Sequence, residues 1–195
     1  MLAAVILSGG ASSRMGSPKA LLPYQGRPFL DHLLEVTHHP KIGVRRVVLG
    51  AHAEPIARAI ELHPEEIVIN EKWEDGQLSS LHAAMRSLPA GTDGIILCLI
   101  DHPLISASLV DSLITQFYAS RAPIVLPVFE GRRGHPVIFS AQVYAELENA
   151  PQEKGARAVV WSHDKEISEY ATTEEGCVLN LNDPDTFARV TRSVD

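Results

Sequence analysis

Two positive charges are interleaved with glycines near the start of the chain, and this combination could bind phosphate. Residues 7–19 read Leu-Ser-Gly-Gly-Ala-Ser-Ser-Arg-Met-Gly-Ser-Pro-Lys. Glycines adopt backbone conformations that let several amide N–H groups converge on one anion, and Arg14 and Lys19 add two cations. The alternative is a glycine turn with two solvated cations. The candidate phosphate-binding residues of this loop are Gly9, Gly10, Ser12, Ser13, Arg14, Gly16 and Lys19.

A carboxylate follows the longest apolar run of the chain. Residues 94–100 read Gly-Ile-Ile-Leu-Cys-Leu-Ile, as expected of a central strand covered on both faces, and Asp101 comes next. Pro103 prevents the strand from continuing. Hard oxygen ligands of this kind suit Mg²⁺, which commonly takes one or two carboxylates together with phosphate oxygens. Asp101 is therefore a candidate metal ligand, with a turn or helix cap as the alternative.

Strand and helix patterns alternate along the chain and predict an α/β fold. We expect a single doubly wound, mostly parallel sheet with helices on both faces, of the Rossmann-like type. The expected strands are residues 5–7, 44–49, 66–70, 94–100, 124–129, 136–139 and 178–181. The expected helices are residues 28–37, 54–62, 80–88, 106–120, 141–147, 156–163 and 184–193. Ser79 is expected to cap the third helix, and Trp161 to pack its helix against the sheet.

Ligands of such folds bind beyond the carboxyl ends of the strands. The glycine loop, Asp101 and the loop after Asn70 should therefore lie at one edge of the sheet.

Composition limits the classes of partner. The 195 residues are 45% hydrophobic, which is enough for one buried core, so residues 1–195 are expected to form a single domain. A net charge of −7 argues against non-specific binding to nucleic acid or to an anionic membrane. Cys98 and Cys177, without close spacing, make neither a disulfide framework nor a zinc site. The first residues lack a basic segment and are too few to span a bilayer, so a cytoplasmic protein is expected.

The glycine loop resembles the nucleotide-binding signature of the MobA-like nucleotidyltransferases, Leu-x-Gly-Gly-x-Ser-x-Arg-Met-Gly-x-x-Lys. This family includes molybdenum cofactor guanylyltransferases and cytidylyltransferases and, more distantly, sugar-phosphate and methylerythritol-phosphate nucleotidyltransferases. The resemblance implies that the loop wraps an NTP and that Arg14 and Lys19 neutralise its triphosphate. The nucleotide-binding residues that it implies in this loop are Leu7, Ser8, Gly9, Gly10, Ser12, Ser13, Arg14, Gly16 and Lys19.

Two further segments are similar to the metal-binding motifs of that family. The sequence Asp101-His-Pro103 is similar to its Asp-x-Pro motif, and residues 180–184, Asn-Leu-Asn-Asp-Pro, resemble its second metal motif. The resemblance implies that Asp101 and Asn182 hold Mg²⁺ and that Arg14, Lys19 and Asp101 are catalytic. A simple Asx turn capping the last helix is the alternative for residues 180–185.

Three segments resemble motifs of the cytidylyltransferase group. Residues 70–80 match its Asn-Pro-x-(aromatic)-x-x-Gly-x-x-Ser-Ser loop except at the proline, which implies nucleotide binding by Asn70, Ser79 and Ser80. Residues 131–136 and 155–157 match its Gly-x-x-Gly-His-Pro and Gly-Ala-Arg motifs. Together they imply a cationic wall for a phosphorylated acceptor. The alternatives are a solvated hairpin tip and a plain loop before a helix. The candidate acceptor-binding residues are Arg132, Arg133, His135 and Arg157.

The resemblance implies Mg²⁺-dependent transfer of NMP from an NTP to a phosphorylated small molecule, with release of pyrophosphate. CTP and molybdopterin cofactor are the first candidates for the substrates, and a molybdoenzyme could receive the product. Alternatives are a GTP-using enzyme, a nucleotidyltransferase acting on a sugar phosphate or phospho-acid, and a nucleotide-binding protein without catalysis. The two ends of the glycine loop resemble different branches of the family. Gly9-Gly10 resembles the guanylyltransferases, whereas Pro18-Lys19 resembles the cytidylyltransferases.

Overall fold

Two apolar strands, β1 (Leu2–Ser8) and β6 (Gly94–Leu99), pair in parallel at the centre of the sheet, and every residue of both is buried. The computed structural model describes residues 1–12 and 15–192, without the side chains of residues 191 and 192. Side chains of β1 alternate between the two faces, so that Ala4 and Ile6 join one core and Val5 and Leu7 the other. A strand buried on both faces explains the unbroken apolar sequence.

The main sheet has the strand order β10-β7-β9-β6-β1-β4-β5, with β8 paired to β7. Its remaining strands are β4 (Ile42–Leu49), β5 (Ile67–Ile69), β7 (Ile124–Phe129), β8 (Arg132–Arg133), β9 (Val137–Ser140) and β10 (Ser168–Ala171). The short strands β8 and β9 run antiparallel to their neighbours, and the other pairings are parallel. A separate hairpin joins β2 (Pro23–Tyr24) to β3 (Arg27–Pro28).

Helices cover both faces of the sheet, as expected. They are α1 (Phe29–Val36), α2 (Ala53–Ala59), α3 (Gln77–Arg86), α4 (Ala107–Ser120), α5 (Tyr144–Glu148), α6 (Arg157–Ser162) and α7 (Pro184–Arg192). Buried side chains of α1, α2 and α4 form one core with the sheet, and those of α3, α5 and α6 form the other. The structure thus confirms the predicted mostly parallel, doubly wound α/β fold. None of the described helices is both long and apolar enough to cross a bilayer.

One expected strand was wrong, and short strands were missed. Residues 178–181 lie outside the sheet, because their backbone bonds to loops instead: the amide of Leu181 donates to the carbonyl of Asp101 at 2.8 Å. Strands β2, β3, β8 and β10 have two to four residues each, and sequence patterns did not predict them. The last residue of the expected final helix lies outside the described residues.

Two side chains take positions other than those expected. Helix α3 begins at Gln77, so Ser79 lies within its first turn rather than capping it, and the Ser79 hydroxyl donates to the carbonyl of Gly76 at 2.8 Å. Trp161 does not pack α6 against the sheet but is 56% exposed, because Val159 occupies the buried face of that helix.

Candidate active site

The glycine loop leaves the centre of the sheet directly after β1. Its start is held by neighbouring strand ends, since the amide of Ile100 donates to the carbonyl of Leu7 at 3.2 Å and the amide of Ala51 to that of Gly9 at 3.1 Å. A Cβ added to Gly9 would lie 3.0 Å from the Ser80 hydroxyl oxygen. The loop therefore fits closely between the end of β4 and the beginning of α3.

Further along, the loop folds back on itself. The hydroxyl of Ser12 accepts a hydrogen bond from the amide of Lys19 at 3.1 Å. Both Ser12 and Gly16 have positive φ values, 50° and 68°, a region in which glycine is far less strained than other residues. Ser13 and Arg14, predicted to bind nucleotide, lie outside the described residues, so their roles stay predictions.

The ammonium group of Lys19 lies between two oxygen-bearing side chains at the carboxyl edge of the sheet. It donates to Oδ1 of Asn182 and lies 3.9 Å from Oδ2 of Asp101. The Lys19 and Asp101 side chains are only 14% and 18% exposed, so solvent screens their attraction weakly. The bond from Leu181 to Asp101 holds the two oxygen-bearing segments together. Three residues from distant parts of the chain thus meet at one point.

The chemistry of this point suits a divalent cation. A carboxylate and an amide oxygen face one positive charge, and both are hard ligands of the type that Mg²⁺ prefers. Within residues 1–12 and 15–192, no group of three or more His, Cys, Asp or Glu side chains could hold a metal. Two protein ligands are compatible with Mg²⁺, because phosphate oxygens and waters commonly complete its coordination.

The loop after β5 is ordered by Asn70, which is buried. Its Nδ2 donates to the hydroxyls of Ser79 and Ser80 at 2.8 and 3.0 Å, and its Oδ1 accepts from the amide of Lys72 at 3.0 Å. These bonds use both ends of the amide, so Asn70 fixes the loop against the first turn of α3.

A cleft of about 200 Å³ opens between these segments. Of the predicted residues, it is lined by Leu7, Ser8, Gly9, Gly10, Ser12, Lys19, Ser80 and Asp101. Gly16, Asn70, Ser79 and Asn182 lie outside its lining. It is also lined by Ile56, Trp73 and Gln77, which were not predicted as site residues. A signal for Gln77 was its place between Gly76 and the two serines of the loop motif.

A second cavity, of about 480 Å³, adjoins the first, and Gly76 and Gln77 line both. Three of the four predicted acceptor-binding residues, Arg133, His135 and Arg157, line this cavity, whereas Arg132 does not. The guanidinium of Arg133 is bound by Asp164 at 2.6 Å and Glu169 at 2.7 Å, which raise its pKa above the usual range. Its charge is therefore largely balanced by protein carboxylates.

His135 lies against His102, with the two ring centroids 5.0 Å apart. Burial, followed by the neighbouring His102, lowers the pKa of His135 to about 4. Burial also lowers the pKa of His102, although the nearby Asp101 opposes that shift. His135 is therefore neutral near pH 7, and its contribution to the wall is hydrogen bonding rather than charge. Arg157 differs from Arg133. It also lines the cavity, but in the described structure no carboxylate is bound to its guanidinium.

Comparisons with known proteins agree with this architecture. The sequence model of one protein family, the MobA-like NTP transferase domain, matches residues 4–167. Nicotine blue oxidoreductase of Paenarthrobacter nicotinovorans is 32% identical over 148 residues, 70% of each chain. Molybdenum cofactor guanylyltransferase of Xanthomonas euvesicatoria is also 32% identical, over 56% of this chain and about half, 52%, of that protein. The crystal structure of Rv0371C from Mycobacterium tuberculosis, in complex with manganese, superposes with a TM-score of 0.79 at 28% identity over 98% of both chains.

Proposed function

Because the chain belongs to the MobA-like NTP transferase family and is a nucleotidyltransferase, we propose that it transfers NMP from an NTP to the phosphate of molybdopterin cofactor. The observation that carries this proposal is the meeting of Lys19, Asp101 and Asn182 beside the glycine loop. A cation facing two oxygen ligands at the carboxyl edge of a parallel sheet is suited to a metal-bound triphosphate.

The proposed reaction is an in-line displacement. An oxygen of the acceptor phosphate forms a bond to the α-phosphorus of the NTP, and the bond from that phosphorus to the oxygen bridging to the β-phosphate breaks. The electron pair of the broken bond leaves with pyrophosphate. Because the acceptor is already an anion, no general base is required, and the protein contributes alignment and charge neutralisation. Lys19 and Arg14 would neutralise negative charge on the α-phosphate and on the departing pyrophosphate.

Mg²⁺ is the proposed metal, with Asp101 and Asn182 as its protein ligands. When bound there, it would supply positive charge to the phosphates of the nucleotide. Two observations support a divalent cation: the oxygen atoms of both side chains face the same ammonium group, and the 28% identical Rv0371C has been crystallised with manganese.

CTP is the first candidate for the nucleotide, and GTP is the second. The loop ordered by Asn70 supports CTP, because its sequence resembles the cytidylyltransferase motif and its Ser80 lines the cleft. The Xanthomonas guanylyltransferase, 32% identical, supports GTP. The acceptor would bind in the second cavity through Arg157 and His135. A molybdoenzyme that takes the product is the proposed partner, and the cytoplasm the proposed compartment.

Calorimetric titration with CTP, GTP, ATP and UTP in the presence of Mg²⁺ tests this proposal. We expect one of CTP or GTP to bind selectively, and Lys19→Ala to weaken that binding at least about tenfold by removing a charged phosphate contact. Lys41→Ala is the matched control, because the Lys41 ammonium lies over the ring of Tyr118, away from the cleft. Absence of NTP binding with and without an acceptor, or equal affinity in Lys19→Ala, would contradict the proposal.

A further inference from the structure

The outer wall of the second cavity carries an exposed indole. Trp161 lies on α6 with 56% of its surface accessible, and its side chain lines the cavity. Because water contact with so large an apolar ring is unfavourable, an exposed tryptophan at a cavity mouth is a common feature of ligand-binding surfaces. The helix does not need this side chain for its own packing, since Val159 supplies the buried contact.

Arg157, one helical turn earlier, lies over the same ring. Its guanidinium carbon is 5.9 Å from the centroid of the Trp161 ring, within the range of a cation–π contact. The two residues are four positions apart on α6, the spacing that brings side chains together on one helix face. Together they place an aromatic ring and a positive charge on one wall of the cavity, and we name this pair the α6 platform.

The cavity beside the α6 platform has an apolar floor. Leu97, Leu126, Val137 and Phe139 line it, and each is at least 94% buried. An apolar floor beside an aromatic and cationic wall is suited to a ligand that has both a flat ring and an anionic group. An aliphatic sugar, whose hydroxyl groups require hydrogen-bond partners on most sides, would gain little from such a floor.

The second cavity adjoins the cleft of the proposed reaction. Gly76 and Gln77 line both cavities, so a molecule in the second cavity can extend its phosphate toward the cleft that contains Lys19 and Asp101.

We propose that the α6 platform, Trp161 with Arg157, binds the ring of the acceptor and makes the second cavity selective for a phosphorylated molecule with a flat heteroaromatic ring over an aliphatic sugar phosphate. This inference rests on the proposed function, whose acceptor site it specifies. Trp161 supplies the stacking surface, and Arg157 supplies positive charge to the ring or to the acceptor phosphate.

Binding of two probe phosphates to the full chain tests the platform. The probes are a pterin carrying a phosphomonoester and glucose 1-phosphate, followed by quenching of tryptophan emission and by calorimetry. We expect the pterin phosphate to quench emission and to bind at least about tenfold more tightly than the sugar phosphate, since stacking on an aromatic side chain gives gains of that order. Trp161→Ala should remove most of this preference, whereas Trp161→Phe should retain most of it.

Tyr118→Ala is the matched control. Tyr118 is another partly exposed aromatic with a cation, Lys41, 5.6 Å from its ring centroid, but it lines a different cavity. This variant should keep the preference, and thermal melts of all variants would show that they fold. Equal binding of the two probes to the wild-type protein, or an unchanged preference in Trp161→Ala, would overturn the inference. Failure of the proposed function would be distinguishable, because it would appear as an absence of NTP binding.

Discussion

At the scale of single residues, the proposed metal site contains a contact between Lys19 and Asn182, two residues 163 positions apart in the sequence. Each of Lys19, Asp101 and Asn182 was predicted separately from a local motif. A shared site at one edge of the sheet was expected, but the direct bond from Lys19 to Asn182 was not, because spacing along a chain does not give the distance between two side chains. In the structure, the ammonium of Lys19 lies between Oδ1 of Asn182 and Oδ2 of Asp101.

The lowered pKa of His135, in the second cavity, predicts how the stability of the protein depends on pH. Burial and His102 lower the pKa of His135 to about 4, whereas a histidine in an unfolded chain titrates near 6.5. Between about pH 6.5 and pH 4 the unfolded chain therefore binds a proton that the folded protein does not. The contribution of His135 to stability is present above about pH 6.5 and decreases as the pH falls toward 4. Denaturant unfolding over this range should show the wild type losing stability relative to His135→Gln.

His163, whose pKa is raised instead of lowered, serves as the control. A hydrogen bond from His163 to Glu146 raises the pKa of His163, so its contribution is present at low pH and decreases as the pH rises through that pKa. His163→Gln should therefore change the pH profile in the opposite sense. An NMR titration in which the His135 ring takes up its proton near pH 6.5 would contradict the assignment.

Trp161 and Ser79 show where residue patterns were insufficient. An apolar side chain on an amphipathic helix is usually buried, but α6 is short and Val159 already fills its buried face, leaving Trp161 outward. Ser79 has the chemistry of a helix cap, yet Asn70 and the carbonyl of Gly76 use its hydroxyl inside the first turn. In both cases, tertiary contacts that a single sequence does not specify decided the position.

At the scale of elements, long and strongly apolar segments were predictable and short ones were not. The central strands β1 and β6 have uninterrupted apolar sequences because helices cover both of their faces. Strand β10 alternates between partly buried and exposed residues over only four positions, a pattern that is common in loops. Residues 178–181 have the apolar character of a strand, but hydrogen bonding to the loop at Asp101 took the place of sheet pairing.

Gly50 provides a test of how closely the elements around the cleft fit. A Cβ at this position would lie 2.4 Å from the carbonyl oxygen of Gly9 and 2.6 Å from the Cβ of Trp73. Gly50→Ala must therefore push the glycine loop away from the Trp73 loop, which we expect to cost about 1–3 kcal/mol of unfolding free energy and to weaken NTP binding. Urea unfolding and calorimetry would measure the two effects.

For stability, Gly10→Ala is the matched control, because in the described structure no heavy atom beyond Gly10 and its two chain neighbours lies within 4 Å of the added Cβ. Its free energy of unfolding should stay much closer to that of the wild type. A Gly50→Ala variant as stable as the wild type would show that the two loops are less tightly fitted than the geometry indicates.

At the scale of the whole molecule, two cavities lie side by side, one beside the glycine loop and one beside α6. The chain carries a net charge of −7, yet both proposed ligands are anions. Local cations resolve this difference, because Lys19 and Arg157 line the cavities.

The family and the fold were predictable from motifs in the right order along the chain. The single-domain organisation of residues 1–195 stays a prediction.

Release of pyrophosphate is the most direct test of nucleotidyl transfer at this site. The wild-type protein would be supplied with Mg²⁺, molybdopterin cofactor and either CTP or GTP, beside Asp101→Ala and the control Asp111→Ala, whose exposed carboxylate lies on α4. We expect acceptor-dependent release with one of the two nucleotides, lost by at least about a hundredfold in Asp101→Ala and retained in Asp111→Ala. Undiminished release in a folded Asp101→Ala variant, or no release by the wild type with either nucleotide, would contradict the account.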